Sequence, residues 1–123
     1  MRTVLVADDE RTIRTLVAAV LDQGGVRTIE AADGTEALDM ARRHRPDVVL
    51  LDILMPNMNG IDVCRQIRAE RALSRTPVIM LTACGQESDQ ERGQKAGANA
   101  FIVKPFSPAV LLQTVLTALS RRA

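Results

Sequence analysis

The sequence predicts an α/β domain in which a parallel sheet of five strands is covered on both faces by helices. Three observations predict it. Short apolar runs recur along the chain, segments of helical period separate them, and no linker, internal repeat or low-complexity tract breaks the alternation. Strands that alternate with helices imply right-handed crossovers between parallel neighbours. The 123 residues suit a single domain. A chain of this size buries roughly two thirds of its unfolded surface, enough for one real core.

The apolar runs are Val4-Leu5-Val6-Ala7, Val48-Val49-Leu50-Leu51, Val78-Ile79-Met80-Leu81 and Phe101-Ile102-Val103. Each is too short for a helix and rich in strand-favouring residues. Unbroken apolar runs are what strands buried on both faces require. Val26 to Ala31 differs, because Val26, Ile29 and Ala31 are mixed with Arg27, Thr28 and Glu30, so this strand is expected to be half exposed. This strand is placed at a sheet edge, where its charges also discourage stray pairing.

The first helix presents Ile13, Leu16, Val17, Val20 and Leu21 on one face and ends at Gly24-Gly25. The second starts at Asp33 or Gly34, buries Ala37, Leu38 and Ala41, and closes at Arg42-Arg43-His44, where positive charge suits a helix C-terminus. Pro46 prevents its continuation. A third helix carries Ile61, Cys64 and Ile67. The last starts at Ser107 as N-cap, with Pro108 in the first turn, and turns Leu112, Val115, Leu116 and Leu119 inward. The segment Glu87–Lys95 is the exception: it has no apolar anchor and carries Gly93. A helix there has almost nothing to bury, so the fourth helix is expected to be short, mobile or displaced.

Composition excludes several functions. The net charge is 16 − 15 = +1, which argues against a nucleic-acid binder that works by neutralising phosphates. Two Phe with no Trp or Tyr leave no platform for base stacking. At 46% hydrophobic and 25% charged, the chain is neither disordered nor fibrous. Cys64 and Cys84 make neither a disulfide framework nor a zinc site. No signal-like segment opens the chain, and no apolar run approaches the ~18 residues of a membrane span. A cytoplasmic protein with no membrane partner is expected.

In parallel α/β sheets, ligands bind outside the carboxyl ends of the strands. The first strand runs into Asp8-Asp9-Glu10, the third into Asp52, the fourth into Thr82 and the fifth into Lys104-Pro105. Crowded carboxylates repel one another and call for a cation. Oxygen donors without a Cys/His cluster point to a hard divalent ion such as Mg²⁺. Lys104 can hold an anion beside that metal, and the Thr82 hydroxyl can donate a hydrogen bond to it. These groups suit phosphoryl transfer, with Asp52 as nucleophile. Only Lys95 and Lys104 are lysines among the 16 basic residues, a hint that position 104 requires a compact ammonium rather than a planar fork.

Four motifs, each at a strand end, resemble those of bacterial response-regulator receiver domains of the CheY-like kind. They are Asp8-Asp9, Asp52-Ile-Leu-Met-Pro56-Asn-Met-Asn-Gly60, Thr82-Ala83 and Lys104-Pro105-Phe106, and the likeness covers essentially the whole chain. The resemblance implies a flavodoxin-like strand order 2-1-3-4-5. It implies that Asp52 is the phosphoacceptor and that Asp9, Asp52, the backbone carbonyl of Leu54 and, mostly through water, Asp8 hold Mg²⁺ or Mn²⁺. Lys104 would pair with the phosphoryl group, or with Asp52 beforehand, and its bond to Pro105 would be cis. Thr82 and Phe101 would form the switch pair, the hydroxyl moving onto the phosphoryl group and the ring turning inward. A histidine kinase or histidine phosphotransfer protein would be the donor. The face of fourth helix, fifth strand and fifth helix would act on an output protein that the sequence does not name.

Plainer roles compete at several positions. The carboxylates could be surface or capping groups, Thr82 a helix cap, Lys104 a solvated side chain and Phe101 simply core. His44 reads as a helix-end cation. Arg65, Arg68, Arg71 and Arg75 read as a solvated face, Met55 and Met58 as loop packing, and Cys64 as core. Cys84 lies near the site, where carboxylates disfavour its thiolate. The resemblance implies that positions 54 and 84 flank the phosphoryl group and influence attacking water; neither Leu54 nor Cys84 can orient water, so a long-lived phosphoryl group is expected. A Mg²⁺-dependent phosphohydrolase would commonly carry an acid at position 54. An FMN carrier would need a Ser/Thr/Gly-rich loop after the first strand. With no output domain in the sequence, the expectation is one phosphoacceptor domain over residues 1–123, monomeric or weakly dimeric, that catalyses only its own phosphorylation and dephosphorylation.

Overall fold

The computed structural model describes residues 2–83 and 87–122. Strands and helices alternate from end to end: β1 (Thr3–Ala7), α1 (Arg11–Gln23), β2 (Arg27–Ala31), α2 (Gly34–His44), β3 (Val48–Asp52), α3 (Gly60–Ala69), β4 (Val78–Ala83), α4 (Glu87–Ala96), β5 (Ala100–Lys104) and α5 (Pro108–Arg122). The strands form one parallel sheet in the order β2-β1-β3-β4-β5. As expected, the charged strand β2 is an edge and β1, β3 and β4 are central.

Side chains alternate across the sheet, and this period divides the core in two. Leu5, Val49, Leu51 and Met80 pack beneath α2, α3 and α4, together with Leu38, Ile61, Cys64 and Ile67. Val4, Val6, Leu50, Ile79 and Leu81 pack beneath α1 and α5, together with Val17, Leu21, Leu111 and Val115. Among the described residues, no helix is long and apolar enough to cross a membrane.

Helix starts follow the local chemistry. The Asp33 carboxylate accepts the Glu36 N–H at 2.8 Å, and Glu36 returns the favour to the N–H of Ala32, also at 2.8 Å. This reciprocal capping box satisfies donors that the first turn cannot. Asn59 caps α3 through the Asp62 N–H at 2.9 Å, and Ser107 caps α5 through the Val110 N–H at 3.1 Å.

The structure corrects four sequence expectations. Leu16 and Leu116 are 40% and 38% exposed, so they lie on helix flanks; Leu111, buried completely, takes the inner position in α5. The buried arcs centre on Val17 and Val115, and both leucines fall to one side of them. Arg68 is not on a solvated face. Its guanidinium donates to the carbonyls of Gly97 (2.8 Å) and Thr76 (2.7 Å) and to Asn99 Oδ1 (2.7 Å), clamping α3 to the turns that precede β4 and β5.

The fourth correction concerns only the length of α4, which is not short: it forms a ten-residue helix, as long as α3. It lacks apolar anchors, but Gly93 and Ala96 let its backbone approach the layer below. A Cβ at position 93 would lie 3.0 Å from Cε1 of Phe101 and 3.5 Å from Cγ of Met80. The Cys64 thiol donates to the Ala96 carbonyl at 3.5 Å. Gly97, with φ of +106°, then turns the chain beneath Arg68.

The Arg68 clamp yields a direct expectation. Arg68→Met should lower stability by about 2–3 kcal/mol, because it leaves partly buried carbonyls unpaired. Arg68→Lys should recover little of it, because a point charge cannot serve the same fork of acceptors. Urea denaturation midpoints check both; a cost below ~0.5 kcal/mol for the Met variant would contradict the clamp.

Candidate functional site

The parallel register carries every strand end to one edge of the sheet. Asp8 follows β1, Asp52 ends β3, Thr82 lies near the end of β4 and Lys104 ends β5. A cleft of about 290 Å³ at this edge is lined by Asp9, Glu10, Asp52, Leu54, Thr82 and Lys104, and by Asp89 from α4.

Asp8 is fully buried. Its Oδ1 accepts the Glu10 N–H at 2.9 Å, while Arg14 donates to the Asp8 carbonyl at 2.8 Å and to Glu30 at 3.0 Å. These bonds fix the turn that presents Asp9. Lys104 Nζ lies 2.8 Å from Asp8 Oδ2 and 3.3 Å from Asp52 Oδ2, bridging the two carboxylates. The sequence expectation paired Lys104 with Asp52; in the structure its shorter contact is to Asp8. The Lys104–Pro105 peptide bond is cis.

The carboxylates of Asp8, Asp9 and Asp52 each place an oxygen within 4.8 Å of the others. Burial raises the pKa of Asp52 from 3.8 to about 6, and the charge of Asp8 adds to the rise, while Lys104 opposes it. Burial lowers the pKa of Lys104, but its hydrogen bond to Asp8 and the charges of Asp52 and Asp8 outweigh this and leave it raised. Asp52 therefore sits where its anionic form is under-compensated by the protein alone. An all-oxygen donor set with excess negative charge fits a hard divalent cation.

Thr82 is 1% exposed, and its hydroxyl contacts the Ala83 carbonyl at 3.4 Å. Phe101 does not line the cleft. Its half-buried ring lies between α4 and the sheet, against Gly93 and Met80. The Leu54 side chain is 66% exposed, and its N–H reaches Asp52 Oδ1 at 3.4 Å. Cys84 lies outside the described residues. Sequence reasoning missed Arg14 and Asp89. A clue was available for Asp89: a helix that begins just beyond a strand end presents its first turn to that edge.

These features define a doubly wound α/β domain with an acidic, lysine-bridged cleft at the carboxyl edge of its sheet. The chain belongs to the response regulator receiver domain family, whose model matches residues 4–116. It is 45% identical over 120 residues to the transcriptional regulatory protein ResD of Bacillus subtilis, covering 98% of this chain and 48% of that protein. It is 43% identical to the DNA-binding response regulator MtrA of Mycolicibacterium paratuberculosis, covering 96% of this chain and 51% of the relative. The chain thus spans about half the length of these curated relatives. The chemotaxis response regulator CheY4 of Vibrio cholerae superposes with a TM-score of 0.91 at 37% identity, covering 97% of this chain and 99% of that one. The Francisella response regulator 1452 receiver domain gives a TM-score of 0.91 at 32% identity over the full length of both. The family is one of signalling domains, and the chain shares its two-component character.

Proposed function

We propose that the domain accepts a phosphoryl group on Asp52 from a phosphohistidine of a histidine kinase or a histidine phosphotransfer protein. The observation that carries this reading is the convergence of Asp52, Lys104 and Thr82 on one cleft with two further carboxylates. A carboxylate oxygen of Asp52 forms the new P–O bond as the P–N bond breaks, and the imidazole leaves with the bonding pair. Lys104, already within 3.3 Å of Asp52 Oδ2, balances charge on the transferring group. The Thr82 hydroxyl donates to a phosphoryl oxygen once the group is in place. Asp8, Asp9, Asp52 and the Leu54 carbonyl would hold Mg²⁺ or Mn²⁺, which supplies charge neutralisation for the phosphoryl oxygens.

The switch follows from neighbouring contacts. When Thr82 turns toward the phosphoryl group it vacates space, and the Phe101 ring moves inward from its position against Gly93. The ring touches α4, so this movement alters the face formed by α4, β5 and α5, which acts on the output partner. Among the longer relatives, ResD is named as a transcriptional regulatory protein and MtrA as a DNA-binding response regulator. Neither rival chemistry finds its parts here: Leu54 occupies the position of a phosphohydrolase's second acid, and Asp8-Asp9-Glu10 replaces a flavin phosphate loop.

Incubation with Mg²⁺ and acetyl phosphate, followed by intact mass, tests the assignment. Wild type should gain one phosphoryl group and Asp52→Asn none; labelling that survives the substitution refutes Asp52. With Leu54 unable to orient water, the label should persist for minutes or longer after donor removal, and loss within seconds would contradict the slow-hydrolysis expectation.

A further inference from the structure

Asp89 is a cleft carboxylate that the reading above leaves without a role. It stands in the first turn of α4 and lines the same cavity as Asp52, Thr82 and Lys104. Its side chain is only 14% exposed, although α4 is otherwise strongly polar. The carboxylate accepts from Arg92 at 3.4 Å, and Arg92 itself is 55% exposed. Asp89 is not one of the three carboxylates whose oxygens cluster within 4.8 Å. It comes from α4, the wall adjoining Thr82 and Ala83, whereas the cluster comes from β3 and the residues that follow β1.

The charge balance of the cavity gives Asp89 its consequence. Asp9, Glu10, Asp52 and Asp89 line it with one ammonium, Lys104, which is already shared between Asp8 and Asp52. A cation within the Asp8–Asp9–Asp52 cluster would offset charge on that side but not on the α4 wall. Any phosphoryl donor brings further negative charge into this space. Repulsion from Asp89 therefore grows with the net charge of the donor and is reduced by Arg92, which partly neutralises the carboxylate.

We propose that Asp89 is a donor-selecting residue of the phosphoryl-transfer cleft: its carboxylate, tethered by Arg92, disfavours dianionic donors relative to donors of lower net charge. The proposal rests on Asp52 as acceptor and adds a specificity element to that site. In the step it controls, an Asp52 oxygen forms a bond to phosphorus while the P–O bond to acetate, or the P–N bond to ammonia, breaks and the leaving group departs with the pair. Asp89 makes and breaks no bond in it.

Acetyl phosphate, a dianion at neutral pH, and phosphoramidate, whose protonated nitrogen leaves one net negative charge, make the test. Initial phosphorylation rates are measured for each donor with Mg²⁺ present. Asp89→Asn should accelerate reaction with acetyl phosphate about three- to ten-fold at low ionic strength and with phosphoramidate by less than about two-fold. The difference should shrink at about 0.5 M salt without vanishing, because the approaching donor is screened in solvent while a carboxylate that is only 14% exposed is screened less. Arg92→Gln should slow the acetyl phosphate reaction more than the phosphoramidate reaction, in the direction opposite to Asp89→Asn. Asp89→Glu should keep the wild-type donor preference.

A loss of helix capping or packing at α4 would change both donors alike and would not respond to salt, so equal effects on the two donors overturn the proposal. So does an Asp89→Asn protein that matches wild type while labelled at Asp52. Should Asp89→Asn fail to fold, Arg92→Gln carries the test through the opposite sign. Wild type that takes up no phosphoryl group, or Asp52→Asn that still does, overturns the acceptor reading and this proposal with it.

Discussion

Replacing Asp52 by Asn should stabilise the metal-free protein by about 2 kcal/mol at neutral pH. Burial holds the Asp52 carboxyl at about 6 instead of 3.8, with Asp8 adding to the rise. Between these two values the native protein binds more protons than the unfolded chain. Stability therefore rises as pH falls through about 6, and the gain is complete once pH drops below 3.8. Above 6 the ionised carboxylate costs stability that a neutral amide of the same shape does not. The full shift, with the opposing Lys104 contact already included, corresponds to about 3 kcal/mol, and solvent access at the open cleft reduces it.

The advantage of Asp52→Asn should be largest above neutrality and vanish near pH 4, where Asp52 of the wild type is itself protonated. Urea denaturation in EDTA across this range measures it. Added Mg²⁺ should stabilise wild type more than the variant and narrow the gap, because a cation relieves the repulsion that the substitution removes. A variant less stable than wild type in EDTA at neutral pH would show that the Lys104 bridge outweighs burial. The same charge strain makes the site receptive, since a group that neutralises Asp52 releases stored repulsion.

The second large effect is structural. Gly34→Ala should cost ~3 kcal/mol or more. A Cβ there would lie 1.8 Å from the Met58 carbonyl oxygen and 2.5 Å from its carbon. Both atoms are backbone, so no side-chain rotation relieves the overlap. The start of α2 and the β3–α3 loop would have to separate, weakening the bonds from Gly34 N–H to Pro56 O (3.3 Å) and from Asn57 Nδ2 to Asp33 Oδ2 (3.1 Å). That loop continues directly from Asp52, so the proposed acceptor would lose support as well. Thermal and urea denaturation check the cost, and a variant within ~1 kcal/mol of wild type would contradict the close contact.

Gly34 shows how far local reading reaches. Its place at a helix start follows from Asp33 and the apolar spacing of Ala37, Leu38 and Ala41. Its requirement for no side chain comes from Met58, 24 residues away, and no local pattern carries that. α4 shows the opposite failure. Its lack of apolar residues argued for a short element, yet it runs ten residues, and small residues at 93 and 96 bring its backbone close to the sheet, which side-chain hydropathy does not register. Arg68 looked solvated because its spacing matches neighbouring arginines, while its acceptors lie on turns far along the chain.

The sequence by itself determined the alternation of strands and helices, the edge position of β2, the residues at each strand end and the family. These depend on period and on motif, both carried by consecutive residues. Only the tertiary structure decided that Lys104 bridges Asp8 and Asp52, that burial lifts Asp52 to about 6, that Phe101 rests on Gly93 and that Asp89 walls the cleft. Each of these depends on distance and desolvation between elements brought together by the sheet. Coulomb energies and pKa values are set by that proximity, not by separation along the chain.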